Sequence, residues 1–277
     1  MPMSAHATYP GGNGDITFVD DESDRGAAGF TDLVRISPRG KNLGSIVRCA
    51  YEQGEGPATG CASSGASFSR TGTRVAFGID GRLAVAAADG TSRVVLPKQT
   101  DQDTGPAWTR GNSLVFTGRQ NGKSNVYLVN ANNTGLRQLT QNGGTAPAYS
   151  VAGLVAYAAD GYVHVVNPDG SGDRRLARGT NPDFSPSGKT VVFERRGRLY
   201  SRPVRKSGKR RLIARKGTDP VFSPLGTRIL YIGPGREDTD VLDTVSPRGK
   251  GRHKVVDPHS EPAVEVENLF SPAWQPR

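Results

Sequence analysis

The sequence predicts an all-β protein, a six-bladed β-propeller with four-stranded antiparallel blades, and three observations carry that prediction. A phrase built on an aromatic residue, in most copies preceded by Pro and followed by a hydroxyl, recurs with its aromatics at Phe68, Trp108, Tyr149, Phe184, Phe222 and Trp274, 35 to 52 residues apart. That is the length of one propeller blade. The 277 residues include 36 Gly and 19 Pro, which punctuate short β-branched runs and favour strands and turns over long helices. Finally, each chain end carries the part of one blade that the other lacks. A hydrophobic content of 35% with 22% charged residues leaves apolar surface for a core and excludes disorder or a collagen-like chain. No apolar run approaches the length of a spanning helix, since the Leu83 to Ala88 stretch soon meets Asp89 and Gly90.

Taken in order, Asp15-Ile16-Thr17-Phe18-Val19 reads as a second strand with no first strand before it, and Ser45 to Cys49 as the fourth strand of that blade. Blade 2 opens at Ala66-Ser67-Phe68-Ser69, turns at Arg70 to Thr73, and carries its second aromatic at Phe77. Blade 3 opens at Pro106 to Thr109, with Phe116 next, a third strand at Asn125 to Val129 and a fourth at Leu136 to Thr140. Blade 4 runs from Pro147 through Tyr157 to a third strand at Tyr162 to Val166, then the polar turn Asn167 to Gly170. Blades 5 and 6 repeat the plan from Pro182 through Phe193 and from Pro220 through Tyr231. The C-terminal Ser271-Pro272-Ala273-Trp274 reads as a first strand with almost nothing after it. Pairing the two ends completes blade 1, so that six blades close the ring and an exposed sheet edge is removed. The chain divides into 1–13, an N-terminal tail or signal remnant, and 14–277, the propeller.

The phrase Asp183-Phe184-Ser185-Pro186-Ser187-Gly188-Lys189-Thr190-Val191-Val192-Phe193 resembles the repeat of the bacterial TolB-type propellers, the WD40-like or PD40 repeat. The resemblance spans the chain from about Gly14 to Trp274. It implies a six-bladed, extracytoplasmic propeller. TolB itself carries an additional N-terminal α/β domain, whereas about 13 residues precede the first strand here. Fold likeness alone does not transfer a role.

Cys49 and Cys61 are expected to form a disulfide that holds a Gly-rich connection, worth about 2 to 3 kcal/mol by chain entropy; the alternative is two unrelated thiols. No His or further Cys stands with them at metal-ligand spacing. An oxidised pair implies an extracytoplasmic location, secreted, periplasmic or at the cell surface. Ala5-His6-Ala7 resembles the end of a signal peptide, without a basic start or apolar segment before it.

The net charge of +10 is uneven, because Arg195 to Lys216 holds 11 basic residues and no acid. Arg195, Arg196 and Arg198 are the candidate binding loop, on a face expected to be shared with the acidic Asp20 to Asp24 and with Glu237, Asp238 and Asp240. Such a face would dock a protein or an anionic cell-envelope component, or be a solvated blade edge protected from strand pairing. Nucleic acid is not expected, since Tyr200 is the only aromatic among these charges. Asp103, Asn181 and Asp219 are placed at the channel mouth, where oxygen ligands from several blades would hold a cation or small polar ligand; ordinary turn chemistry explains them equally.

Catalytic motifs fail. Gly188-Lys189-Thr190 and Gly122-Lys123-Ser124 mimic the end of a P-loop, but Asp183 and Thr117 stand where its first Gly belongs. No Gly-x-Ser-x-Gly elbow is present. The histidines His6, His164, His253 and His259 are dispersed, and His259 with Glu261 is the least implausible reactive pair. The reading is a monomeric, non-catalytic binding scaffold with no cofactor. The alternative is a propeller polysaccharide lyase or hydrolase with its site at the channel mouth.

Overall fold

The computed structural model describes residues 7–21, 31–49, 60–205, 207–235, 239–256 and 268–277. Blade 1 contains β1 (Asn13–Asp21), β2 (Thr31–Ile36) and β3 (Asn42–Val47). Blade 2 contains β4 (Ala62–Phe68), β5 (Arg74–Ile79), β6 (Arg82–Ala87) and β7 (Val94–Val95). Blade 3 contains β8 (Gln102–Trp108), β9 (Ser113–Gln120), β10 (Lys123–Asn130) and β11 (Arg137–Gln138). Blade 4 contains β12 (Thr145–Tyr149), β13 (Val155–Ala159), β14 (Tyr162–Val166) and β15 (Arg174–Arg178). Blade 5 contains β16 (Thr180–Phe184), β17 (Thr190–Glu194), β18 (Leu199–Pro203) and β19 (Arg211–Ala214). Blade 6 contains β20 (Thr218–Phe222), β21 (Ile229–Pro234), β22 (Asp240–Val245) and β23 (His253–Val256). The last strand, β24 (Asn268–Pro276), returns to blade 1, giving six four-stranded sheets. Every pairing is antiparallel, including β1 with β24. The predicted fold class and the predicted closure are therefore observed.

Each blade's first strand lies innermost: β24, β4, β8, β12, β16 and β20 each touch the next around the axis. The core is accordingly a set of slabs between neighbouring sheets. Phe184 and Phe193 of blade 5 bury against Val163, Val165 and Leu176 of blade 4, and Ile229, Tyr231 and Val245 of blade 6 against Val192, Leu199 and Ile213 of blade 5. The outermost strands β7 and β11 are two-residue pairings. Short edges of this kind limit pairing with other chains.

The recurrent Pro marks a device that spacing alone did not reveal. Three residues before the first-strand aromatic, in the five copies that carry the Pro, backbone φ is positive at Gly105 (55°), Ala146 (50°), Asn181 (46°), Asp219 (47°) and Ser271 (53°). The strand register shifts at the same places. These are bulges, each holding a residue in the left-handed region at a cost of about 1–2 kcal/mol for a non-glycine. The following Pro has no N–H to leave unpaired in the broken ladder.

At the closure, Ile16 stands opposite Trp274 and Val19 opposite Phe270. Gly12 N–H donates to Arg277 O at 2.6 Å, and Arg277 N–H returns a bond to Gly12 O at 2.8 Å. The Trp274 indole N–H donates to Gly14 O at 3.0 Å. The Cys49–Cys61 disulfide is formed, with Cα atoms 4.4 Å apart. Cys49 N–H donates to Asp32 of blade 1 and Cys61 N–H to Asp80 of blade 2, so the bridge ends are pinned to adjacent blades.

Deleting residues 271–277 exposes the β1 edge and removes the buried Trp274; a thermal melt should show loss of the cooperative transition or a marked fall in Tm. Replacing Cys49 and Cys61 by Ser should lower stability by about 3 kcal/mol in denaturant titration, from the loop entropy alone.

Candidate functional site

The bulges bring two of the three residues expected at the channel mouth together. Asn181 and Asp219 occupy the same position in neighbouring blades and meet: Asn181 Nδ2 donates to Asp219 Oδ1 at 2.5 Å and to Glu194 Oε2 at 3.3 Å. Ser271 N–H donates to Asp219 Oδ2 at 3.1 Å, which links three successive inner strands. Desolvation, reinforced by the Asp219 charge, pushes Glu194 above the usual carboxylate range. Asp103 does not join them. It is fully buried and folds its own connection, Oδ1 accepting from Thr100 N and Oγ1 at 3.0 and 2.6 Å and Oδ2 from Gln99 N at 2.7 Å. Among the described residues no group of three or more His, Cys, Asp and Glu is placed to hold a metal ion.

The ring also receives its own N-terminal segment. Ala7, Thr8 and Tyr9 are 6%, 3% and 0% exposed. The Tyr9 hydroxyl donates to Trp108 O of blade 3 at 2.7 Å. The Thr8 hydroxyl lies 2.8 Å from Asp183 Oδ2 of blade 5 and 3.3 Å from Phe222 O of blade 6. Three blades thus converge on two residues of the stretch read from the sequence as a tail. Burial pushes the Tyr9 phenol well above its ordinary range.

Asp183 is the central polar group of this arrangement, and the motif search missed its role. It directly precedes the blade 5 aromatic, where the other blades carry Ser67, Ala107, Ala148, Val221 and Ala273. Its side chain crosses to the next blade and accepts the Phe222 N–H at 2.8 Å. Ser67 does the same for Trp108 N–H at 3.2 Å, so the position is a blade-to-blade tether wherever it is polar. Burial raises Asp183 to about 7, against which the hydrogen bonds from Phe222 and Thr8 work. Aligning the repeats would have exposed it as the one carboxylate in that column.

The predicted basic loop sits at a hairpin tip. Arg195 to Arg198 form the turn between β17 and β18, closed by Arg195 N–H to Arg198 O at 2.8 Å, with Arg196 and Arg198 exposed. Gly217 N–H donates to Gly197 O, tying the blade 5-to-6 connection to that tip. The acidic half of the expected bipolar face is not assembled among the described residues. Asp20 is 3% exposed within β1 instead of standing in a loop. Asp240 lies in β22 and accepts Leu269 N–H at 3.3 Å. Residues 22–24, Glu237 and Asp238 lie outside the described residues, as do His6, His259 and Glu261. His164 is a buried third-strand residue whose Nδ1 is 3.2 Å from Asp173 and 3.4 Å from the Tyr157 hydroxyl. His253 is exposed at the start of β23.

Inner strands closed around an axis, each opening a four-stranded antiparallel sheet, define a six-bladed β-propeller. No family model and no curated protein matches the sequence. Solved structures do. TolB from Acinetobacter baumannii has a TM-score of 0.74 at 17% identity, over 95% of this chain and 67% of that one. A chain of a nidogen/laminin complex has a TM-score of 0.70 at 13% identity, over 94% and 98%. Oligogalacturonate lyase in complex with manganese has a TM-score of 0.58 at 12% identity, over 91% and 77%. In fold the chain is a TolB-like propeller.

Two outcomes test the interior. Tyr9→Ala should cost about 3 kcal/mol in denaturant titration, as expected for truncating a buried aromatic. Because the folded-state value of Asp183 lies at about 7 against an ordinary 3.8, the native protein binds more protons than the unfolded chain between those pH values. Stability should therefore fall as pH rises from about 4 through about 7. Asp103, Glu194, Asp240 and Asp243 are raised in the same direction. Asp183→Asn should flatten the slope of Tm against pH without abolishing it.

Proposed function

We propose that this propeller is a non-catalytic binding scaffold outside the cytoplasm, docking a protein or an anionic component of the bacterial cell envelope. The observation that carries the reading is the exposed cationic tip: Arg196 and Arg198, with Arg195 beside them, project on a two-stranded hairpin that a backbone bond ties to the next blade. Fixed positive charge held on a rigid turn attracts anionic partners and raises encounter rates. The Cys49–Cys61 bridge supports an oxidising compartment. Likeness to TolB and to a chain in a nidogen/laminin complex, a protein–protein assembly, is in keeping with a binding role.

The alternative is a polysaccharide lyase or hydrolase acting at the channel mouth, which has the likeness to oligogalacturonate lyase behind it. Against it, Asn181 and Asp219 spend their polar groups on each other and on Ser271.

Affinity capture from an envelope extract discriminates the two. The intact protein should retain a discrete partner that the Arg195→Glu, Arg196→Glu, Arg198→Glu triple variant loses, with unchanged melting. Glycan turnover by the purified protein, with no partner recovered, would reverse the assignment.

A further inference from the structure

A groove of about 560 Å³ runs along the outer wall between blades 5 and 6. Its floor is Ile213, Tyr231 and Val245, all at most 5% exposed, with Leu212 39% exposed at its edge. Four cations line it: Arg215 and Lys216 on the connection after β19, and Arg248 and Arg252 from the turn between β22 and β23. Among the described residues one of the four has a carboxylate partner. The fully buried Asp243 takes Arg252, whose Nε donates to Oδ2 at 2.7 Å. Among the described residues Arg215, Lys216 and Arg248 have no carboxylate partner, and no acid lines the groove. Three like charges facing one concavity repel each other until an anion enters.

The backbone that carries Arg248 is fixed before any ligand arrives. Gly249 has φ of +77°, and a Cβ there would lie 2.9 Å from Ile213 O; a bare glycine lets the blade 6 turn close against β19 and carry Arg248 to the groove. The turn is braced by Gly249 N–H to Ser246 O at 2.8 Å, Lys250 N–H to Ser246 Oγ at 3.0 Å and Arg228 Nη1 to Gly251 O at 2.5 Å. A turn fixed beforehand lowers the entropy cost of binding.

The equivalent groove between blades 3 and 4 shows that the charge belongs to this site and not to the fold. Tyr157 faces His164 there as Tyr231 faces Asp243 here. Asp173 lies two residues before the partner of His164, where Arg252 lies two before the partner of Asp243. That groove is lined by Asp160 and Asp173 as well as Arg174 and Arg175, so its charges balance.

We propose that the groove between blades 5 and 6 binds a small soluble phosphomonoester with an apolar body, the phosphate held by Arg215, Lys216 and Arg248 and the body lying on Ile213, Tyr231 and Val245. A phosphomonoester carries a charge of about −1.5 to −2 near neutral pH, a closer match to three cations than a carboxylate offers. Arginine forks meet its oxygens two at a time. The assignment goes beyond the scaffold reading, since it concerns the outer wall and not the hairpin tip.

Calorimetric titration of the intact chain with octyl phosphate and with inorganic phosphate tests the site. Octyl phosphate should bind at least about tenfold tighter than inorganic phosphate, and Arg248→Glu or Arg215→Glu should each weaken it about tenfold or more, the size of one charge-assisted contact. Leu212→Ser should weaken octyl phosphate selectively. Arg175→Glu in the balanced groove and the triple tip variant should leave binding unchanged, so this site and the scaffold surface fail separately. All the substituted residues except the half-buried Arg195 of the tip are exposed, and matching melts confirm folding; Arg252 is left intact because it neutralises Asp243. Equal affinity for the two phosphates, octyl phosphate binding that survives Arg248→Glu, or sedimentation with phosphatidic acid vesicles without octyl phosphate binding would overturn the proposal.

Discussion

The pairing of β24 with β1 joins residues some 260 positions apart in sequence, as in the Trp274 to Gly14 bond, and the rest of the ring is conditional on it. Six sheets that pack face to face bury their aromatics only if the first meets the last; otherwise two slabs are left half open. Loop-closure entropy opposes that meeting, but it grows only logarithmically with length. The antiparallel pairing of two nine-residue strands with a buried Trp274 is a sufficient counterweight. The same closure brings Gly12 against Arg277, so the chain leading to Tyr9 sets out from the seam.

From the seam the N-terminal segment enters the interior, and this changes what the channel can do. Thr8 and Tyr9 occupy polar positions that an open channel would offer to a ligand: the Trp108 and Phe222 carbonyls and the Asp183 carboxylate. A buried carboxylate with one oxygen committed to two donors is costly to ionise. Its raised titration range follows from that position. The bulges turn Asn181 and Asp219 toward each other across a blade boundary.

The positive charge is arranged at two scales. At the tip of blade 5 it is solvated and projecting, a feature suited to long-range attraction. In the groove between blades 5 and 6 it converges on an apolar floor and is held by a turn that glycine allows to pack closely. The basic run supplies two of the four groove cations, Arg215 and Lys216; Arg248 and Arg252 come from a turn more than thirty residues later. Linear inspection therefore found the charge without finding the cavity.

The number of blades, the strand order, the closure and the blade positions of most strands were legible, because alternation and turn chemistry are local and repeat with one period. Fourth strands were less so: the Leu136 to Thr140 run pairs only at Arg137 and Gln138, since an outermost strand has one neighbour and little burial to fix its length. Cys49 and Cys61 were readable as an expected pair, and the bridge is formed. Asp103, Asn181 and Asp219 looked alike in sequence, yet the fold joins the last two and uses Asp103 to cap its own loop. Asp20 read as a loop acid and is a buried strand residue. By itself, then, the sequence determined a closed ring of six antiparallel sheets, because each element obeys rules of neighbouring residues. Which side chains meet across blade boundaries was decided only by tertiary structure, because Asn181, Asp219 and Asp183 each find a partner in the next blade. That Thr8 and Tyr9 fill the interior was decided there too, because their contacts span 99 to 214 positions and carry no period to betray them.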